Sequence, residues 1–452
     1  MKSVITILLL FITASPVLAQ QTERLQEITF PSEVMDQDRT IKIYVPKDYS
    51  EEKSYPVIYI TDGSNVNFNV AANYLDGLSE TYFNLIPQSI LVGIHHNRRN
   101  DDLDVHDSES GKVFMEYLHE ELLPYMDSTY STSGFNAMIG HSNGAEYNHF
   151  LMMSENNPFR GFISMSTSFN TDVRDRLADF FNSYEGKNIY YFIGNATFDS
   201  PERPRFGNEF AEIYANHPNP NVELQNQTYA ASHMSIVPVS LFDGLRFVFK
   251  DYYAITAFPE FTDYSENYLN DLKDNYGLEG TINPSDLENY LMDILTNKKL
   301  DEYERLIALE AEHKLFLGKG MDPINIANHY YLMEAYDKTI EYYNDALENY
   351  DQYVEEYPDH FERMYRNMLR QPIGSYEKTD QIDELIDFLE RSIEVLPEKS
   401  ALSINHKIAK LSVEHQTSLE LGKKALAYCK SNYRENTSFT MDDLIAMEEK
   451  LN

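Results

Sequence analysis

The chain has 452 residues, which is more than a single hydrophobic core usually covers, so we expect two domains. Its formal net charge is −36, and this acidic excess argues against nucleic acid as a partner because such a surface repels phosphates. The only cysteine, Cys429, excludes an intrachain disulfide, so stability must come from the core.

The N-terminus has the features of a signal peptide. Lys2 precedes an apolar run over residues 4–12, and Val17-Leu18-Ala19 has the small residues that a signal peptidase prefers. The run is shorter than the ~20 residues of a membrane-spanning helix. The sequence therefore predicts that residues 1–19 are removed and that the protein is exported, to the periplasm or outside the cell, without a membrane span.

Short apolar segments alternate with helical ones over residues 20–254. This order predicts an α/β domain with a largely parallel sheet covered on both faces. The expected strands are residues 40–45, 55–61, 90–94, 137–139, 159–166, 188–193 and 222–229, and the expected helices include residues 111–125, 145–153 and 238–250.

The strand near residue 139 runs directly into Gly140-His141-Ser142-Asn143-Gly144, the G-x-S-x-G pattern of a nucleophile elbow. A serine hydroxyl is a poor nucleophile, so it must be held on a sharp strand-to-helix turn where a base can reach it, and the glycines permit that turn. The pattern predicts Ser142 as a catalytic nucleophile. The alternative is a tight turn with a purely structural role.

Two further residues follow in the order that such a catalytic triad requires. His233 comes directly after the last predicted strand and is the expected general base. Asp199 follows the strand that ends at Gly194 and is the preferred acid, while Glu202, three residues later, is the alternative. Any of the three could instead be an ordinary loop residue.

The oxyanion that forms during acyl transfer needs two backbone N–H donors. Asn143 follows the nucleophile at a helix start and is expected to supply one. The second is expected from Gly63 or Ser64, in the loop after the strand over residues 55–61.

Arg98 and Arg99 are the only paired cations near the expected cleft. They could bind a carboxylate of the substrate, or they could pair with the nearby Asp101 and Asp102. The second interpretation is the simpler one.

Residues 39 to 250 resemble the putative-esterase family of α/β-hydrolases, which includes enterochelin-esterase-like and esterase-D-like enzymes. The resemblance rests on several motifs in one order, at residues 39–49, 55–63, 121–125, 140–144, 164–168 and 232–235. It implies hydrolysis of a carboxylic ester through a serine acyl-enzyme, without metal or cofactor, and it supports Ser142 and His233. Two residues depart from the family pattern, since Ala145 replaces a glycine and Asn136 replaces an arginine.

Residues 255–452 change to helices rich in Leu, Tyr, Glu and Lys. Residues 330–350 resemble a degenerate tetratricopeptide unit of paired helices, and residues 385–396 and 419–428 repeat the theme weakly. One such pair cannot bury its apolar face, so an all-α, repeat-like domain of stacked helices is expected. It could hold a protein partner, restrict access to the ester site, or simply cap the chain. The spacing of Tyr336, Tyr343 and Tyr350 favours helix packing.

Together these patterns predict an exported serine esterase with an α/β-hydrolase domain followed by a tetratricopeptide-like helical domain. The substrate could be an acylated sugar, a siderophore lactone or another small ester, and acyl transfer to another acceptor would use the same residues. The absence of tryptophan and of a basic cluster argues against a catecholate siderophore. The alternative is an inactive hydrolase-like scaffold that binds a protein or glycan.

Overall fold

The computed structural model describes residues 24–80, 84–105, 109–169, 171–252, 254–279, 282–314, 320–358, 360–435 and 438–451. The predicted signal peptide, residues 1–19, lies outside the described residues. The described chain divides into two compact units. The first runs to Ala257 and includes the segment from Asn267 to Glu279, and the second comprises Phe258–Glu266 and the residues from Ile282 onward.

An eight-stranded sheet is the centre of the first unit. Its order is β1-β2-β4-β3-β5-β6-β7-β8, with β1, β2 and β4 paired antiparallel and every other neighbouring pair parallel. The strands are β1 Leu25–Ser32, β2 Gln37–Tyr44, β3 Tyr55–Ile60, β4 Ile90–Ile94, β5 Thr132–His141, β6 Phe159–Met165, β7 Ile189–Ala196 and β8 Val222–Tyr229.

The apolar runs of the sequence form the centre of this sheet. Strands β3, β4 and β7 are buried along their whole length, as expected for parallel strands with both faces covered. The predicted strand over residues 40–45 is β2, which lies second from the edge of the sheet. The edge strand β1 was not predicted, because its side chains are all partly or fully exposed except that of Ser32.

Helices cover both faces of the sheet and complete the predicted α/β class. They are α1 Val66–Leu78, α2 Arg99–Asp102, α3 Glu109–Tyr117, α4 Leu123–Thr129, α5 Asn143–Met152, α6 Thr171–Ser183, α7 Glu202–Asn216 and α8 Ile236–Val248. The helix predicted over residues 111–125 corresponds to α3 and α4, with a π-helical turn at Leu118–Leu122 between them.

The boundary between the two units differs from the predicted one at residues 254 and 255. A short helix, α9 Phe261–Asp263, belongs to the second unit, whereas α10 Leu269–Tyr276 returns to the first. The reason is aromatic packing, because Tyr276 is fully buried with its ring 5.1 Å from that of Phe135 and 5.4 Å from that of Phe249.

The second unit is helical throughout its described part. Its longer helices pack on their neighbours along the chain, α11 on α12, α13 on α14, α18 on α19 and α19 on α20. The helices are α11 Pro284–Asn297, α12 Leu300–His313, α13 Pro323–Leu332, α14 Tyr336–Glu348, α15 Tyr350–Glu356, α16 Phe361–Met368, α17 Arg370–Lys378, α18 Ile382–Val395, α19 Glu398–His415, α20 Leu419–Ser431 and α21 Met441–Leu451.

Tyrosines provide much of the core of this second unit. Tyr343 and Tyr350 are buried in one apolar cluster, as their helical spacing predicted, and the Tyr343 hydroxyl donates to the carbonyl of Met368 at 3.1 Å. The α13 and α14 pair covers the segment predicted to be a tetratricopeptide-like unit, and that assignment stays a prediction. None of the helices in the described part of the chain is both long and apolar enough to cross a lipid bilayer.

Candidate active site

Three loops at one edge of the sheet bring the predicted catalytic residues into one region. Ser142 follows β5, Asp199 follows β7 and His233 follows β8. Because these strands are parallel in the order β5-β6-β7-β8, their carboxyl ends lie side by side at one end of the sheet. This edge is where ligands bind in open α/β sheets.

Ser142 lies on a sharp turn between β5 and α5. Its φ of 59° and ψ of −119° are unfavourable for a residue with a side chain, and such strain is common at functional sites. The turn is tight because a Cβ on Gly140 would lie 2.2 Å from the carbonyl oxygen of Gly144. A Cβ on Gly144 would lie 2.3 Å from Thr61 Oγ1. The local backbone therefore has the geometry of a nucleophile elbow.

We expect Gly140→Ala to lower the free energy of unfolding by about 1–3 kcal/mol, because backbone atoms must shift to admit the methyl group. Urea unfolding followed by circular dichroism measures this change. The matched control is Gly77→Ala in α1, where a Cβ meets no atom within 4 Å. We expect this control to raise stability by up to ~1 kcal/mol, since alanine favours a helix. Equal effects of the two substitutions would contradict the steric account of the elbow.

The structure pairs His233 with Asp199. The distance from His233 Nδ1 to Asp199 Oδ2 is 2.8 Å, and the Asp199 side chain is nearly buried whereas the imidazole is a third exposed. Two backbone bonds align the loops that carry them, from Thr197 N to Tyr229 O and from Phe198 N to Ala231 O, both 2.9 Å. These bonds continue the pairing of β7 and β8 beyond the strands.

The electrostatic environment keeps Asp199 ionised. Burial raises the pKa of this carboxyl, but hydrogen bonds to the carboxylate, that with His233 foremost, more than offset the effect of burial. One of them comes from the N–H of Ser200, 2.7 Å from Oδ1. The pKa of Asp199 therefore lies below its ordinary value of 3.8. A carboxylate that accepts from Nδ1 fixes the imidazole with Nε2 unprotonated, which is the form that can accept a proton.

Glu202, the alternative acid, is placed elsewhere. It is the first residue of α7 and is exposed. No hydrogen bond joins it to His233 in the described chain. An acidic residue in the first turn of a helix is stabilised by the helix dipole, which accounts for Glu202 without a catalytic role.

The Ser142 hydroxyl is partly exposed and makes no hydrogen bond to another described residue. The imidazole centroid of His233 lies 4.6 Å from that of His141, the residue before Ser142, so His233 lies close to the elbow turn. Catalytic hydrogen bonds are often long before substrate binds.

The predicted oxyanion donors separate into two groups. Asn143 is the first residue of α5. The backbone N–H groups of Asn143 and Ser64 have no hydrogen-bond acceptor among the residues that the structure describes. Gly63 was the wrong choice, because its N–H donates to the carbonyl of Ile94 at 3.0 Å. The physical reason is close approach to β4, since a Cβ on Gly63 would lie 2.3 Å from the carbonyl carbon of Gly93.

Arg98 and Arg99 have different environments. Arg98 is 81% exposed and pairs with Asp101 at 2.8 Å, as the simpler interpretation expected. Arg99 does not pair with Asp102 but with Asp62, through Nε to Oδ1 at 2.6 Å and Nη2 to Oδ2 at 3.1 Å.

Asp102 has other partners. It accepts from the buried Arg39 at 2.7 Å, and the distance from its Oδ2 to His96 Nδ1 is 2.8 Å. The pairing of Arg99 with Asp102 was therefore a wrong expectation, because Asp102 turns into the protein to neutralise Arg39.

His141 and Asp62 are site residues that sequence analysis missed. His141 Nε2 lies 2.7 Å from the carbonyl oxygen of His233, so Nε2 must carry the proton. Burial lowers the pKa of His141, which is consistent with a neutral ring. Both residues stand inside recognised motifs, but only their three-dimensional contacts reveal their roles.

Comparisons with known proteins concern mainly the first unit. Residues 32–219 match the family model described as "Putative esterase", and this range contains Ser142 and Asp199 but ends before His233. The first unit therefore has the α/β-hydrolase fold, and residues 32–219 of it are similar to this esterase family. We call it the hydrolase unit.

The chain is similar at low identity to one curated protein and to several solved structures. An uncharacterized protein of Bacillus subtilis, YjcH, is 24% identical over 189 residues, which are 40% of this chain and 77% of that protein. A crystal structure of an uncharacterised protein from Capnocytophaga ochracea superposes with a TM-score of 0.60 at 16% identity, over 72% of this chain and 93% of the other. An IroE-like serine hydrolase from Shewanella oneidensis gives 0.53 at 22% identity, over 64% and 99%.

The two departures from the family pattern are accommodated within the hydrolase unit. Ala145 is fully buried in the first turn of α5, so a methyl group fits where the family has glycine. Asn136 is buried in β5, opposite Val57 on one side and Phe159 on the other. Neither residue disturbs the elbow. Among the described residues, no group of three or more His, Cys, Asp or Glu is arranged to hold a metal ion.

Proposed function

We propose that this protein is an exported serine carboxylic-ester hydrolase that acts through an acyl-enzyme on Ser142. Two observations carry the proposal together, the 2.8 Å contact between His233 Nδ1 and Asp199 Oδ2 and the strained elbow backbone of Ser142. The match of residues 32–219 to the esterase family model supports the choice of an ester. Export rests on the predicted signal peptide.

In the first half of the reaction, His233 Nε2 accepts the Ser142 proton while Oγ attacks the ester carbonyl carbon. The carbonyl oxygen gains negative charge, and the N–H groups of Asn143 and Ser64 are the proposed donors to it. His233 then returns the proton to the leaving alcohol as the carbon–oxygen bond breaks. The acyl group remains on Ser142.

In the second half, water replaces the alcohol. His233 accepts a proton from water, whose oxygen attacks the acyl carbon through a second tetrahedral intermediate. The proton passes to Ser142 Oγ as the acid is released. Asp199 stabilises the imidazolium in both halves, because its low pKa keeps it anionic.

Apolar side chains border the proposed catalytic pair. Phe198, next to Asp199, is 70% exposed, and Met234, next to His233, is 68% exposed. Large exposed apolar side chains next to a candidate catalytic pair favour an apolar ligand group. We propose that the substrate is a small ester with an apolar acyl or alcohol part.

The test is reaction of the mature full-length protein with a fluorophosphonate probe, followed by mass spectrometry of the labelled peptide. We expect a single label, on Ser142. We also expect the protein to hydrolyse short-chain nitrophenyl esters, at a rate that decreases in proportion to the fraction of protein labelled. Heat-denatured protein is the control and should not label. Folded protein that neither labels nor hydrolyses esters would contradict the proposal and favour the binding scaffold.

A further inference from the structure

The guanidinium of Arg99 joins two loops that carry different parts of the candidate site. Three of its N–H groups are used, two on the carboxylate of Asp62 and one on the carbonyl of His141 at 2.9 Å. The Asp62 side chain is nearly buried, and that of Arg99 is 32% exposed. A pair of this kind, bidentate and partly shielded from water, has a well-defined geometry.

These two contacts lie close to the proposed oxyanion donors along the chain. Asp62 is two residues before Ser64, and His141 is two residues before Asn143. The last backbone bond that joins the two segments runs from Thr61 N to Ile139 O at 3.2 Å, so sheet pairing ends before either donor. Beyond that bond, Arg99 bridges the segments.

We propose that Arg99 is a positioning residue that sets the spacing between the two oxyanion donors. The inference rests on the proposed function. Arg99 holds the Asp62 loop against the end of β5, so the N–H groups of Ser64 and Asn143 face the same point. Preorganised donors of this kind stabilise the transition state without reorganisation during the reaction.

Lysine cannot replace arginine in this bridge. Its ammonium is a point charge without a planar fork, so it cannot make the bidentate pair with Asp62 and also donate to His141. The spacing of the donors should loosen while the positive charge is kept. Substrate binding in the ground state should change little, because the oxyanion does not yet exist there.

The experiment compares Arg99→Lys with the wild type in the full-length mature protein, using a nitrophenyl ester and a trifluoromethyl ketone that forms a tetrahedral adduct with serine. We expect kcat to fall by roughly 10- to 100-fold. This decrease is no larger than the one that follows complete removal of an oxyanion donor. We expect KM to stay within about twofold of the wild-type value. The inhibition constant of the ketone should rise by a similar factor. Asp62→Asn, which removes the charge but not the shape, should show the same pattern more weakly.

The matched control is Arg160→Lys. Arg160 lies near the amino end of β6, at the opposite edge of the sheet, and its guanidinium donates to the carbonyls of Asn188 and Asn275 at 2.9 and 2.6 Å. Like Arg99→Lys, this substitution removes hydrogen bonds from a guanidinium to backbone carbonyls, but it does so far from the candidate active site. We therefore expect kcat and the inhibition constant of the ketone to stay at wild-type values.

Three results would overturn the inference. Arg99→Lys with unchanged kcat would show that the bridge does not position the donors, and a raised KM with unchanged kcat would make Arg99 a substrate-binding residue. If Arg99→Lys does not fold, Arg99→Ala serves instead, and failure of added methylguanidinium to restore its kcat would count against the bridge. A wild type without esterase activity or labelling would defeat the proposed function itself, a result distinct from an active wild type with an insensitive Arg99.

Discussion

Ser142→Ala is expected to lower kcat for ester hydrolysis by a factor of roughly 10⁴ to 10⁶, because the variant cannot form the acyl-enzyme. The fluorophosphonate label should also disappear. Residual turnover would come from the oxyanion donors and from substrate binding alone. A continuous nitrophenyl ester assay at saturating substrate measures the decrease in kcat.

The control for this prediction is Ser154→Ala. Ser154 follows the far end of α5 and its hydroxyl donates to the carbonyl of Leu151 at 2.7 Å, so its loss should leave kcat unchanged. The fold must also be intact in Ser142→Ala, which circular dichroism and urea unfolding can establish. If folded Ser142→Ala kept wild-type turnover, another group would be the nucleophile and the proposed mechanism would be wrong.

Asp199→Asn is expected to lower kcat by roughly 10³- to 10⁴-fold, because an amide can donate to Nδ1 and favour the wrong imidazole tautomer. The pKa of Asp199 lies below 3.8, so the native carboxylate is charged at every pH above about 4. The contribution of the Asp199 carboxylate to kcat is lost only as the pH falls through that lowered pKa. The variant should therefore be slower than the wild type at all pH values from about 5 to 9.

Glu202→Gln is the matched comparison for the acid. Glu202 is exposed in the first turn of α7, so we expect its kcat to stay within about twofold of the wild type. A pH series of kcat for both variants separates the two acids. The assignment of Asp199 would fail if Glu202→Gln lost more activity than Asp199→Asn.

Local pattern was sufficient for most of the hydrolase unit. Strands β4 and β8 have the bounds that the sequence predicted, because each is a short run bordered by turn residues. Strand β1 was not predicted, because its side chains alternate between partly exposed and fully exposed and so give no apolar run. Pro31 is also unfavourable within a strand. Its pairing with β2 is a tertiary contact that composition does not encode.

The choice between Asp199 and Glu202 was beyond sequence reasoning for a similar reason. Both residues follow β7 within a few positions, and their spacing along the chain leaves either in reach of a histidine. The decision comes from the backbone bonds that align this loop with the one after β8. Those bonds place Asp199 against His233, while Glu202 begins a helix.

Arg99 and Gly63 show the same limit at the other side of the site. Asp101 and Asp102 are the nearest acidic residues along the chain, but the partner of Arg99 is Asp62, 37 residues away. Gly63 is a plausible donor by its position in the chain, and only the proximity of β4 shows that its N–H is already used. Contacts between distant residues decided both cases.

The continuation of β7 and β8 pairing into their loops divides the proposed catalytic residues into two halves. One half holds the acid and the base as a single piece, and the other holds the nucleophile and both donors. Strand β6 lies between β5 and β7, and the bond from His141 Nε2 to the His233 carbonyl spans the gap. We therefore expect a bound ester that contacts both halves to set the distance between Ser142 and His233.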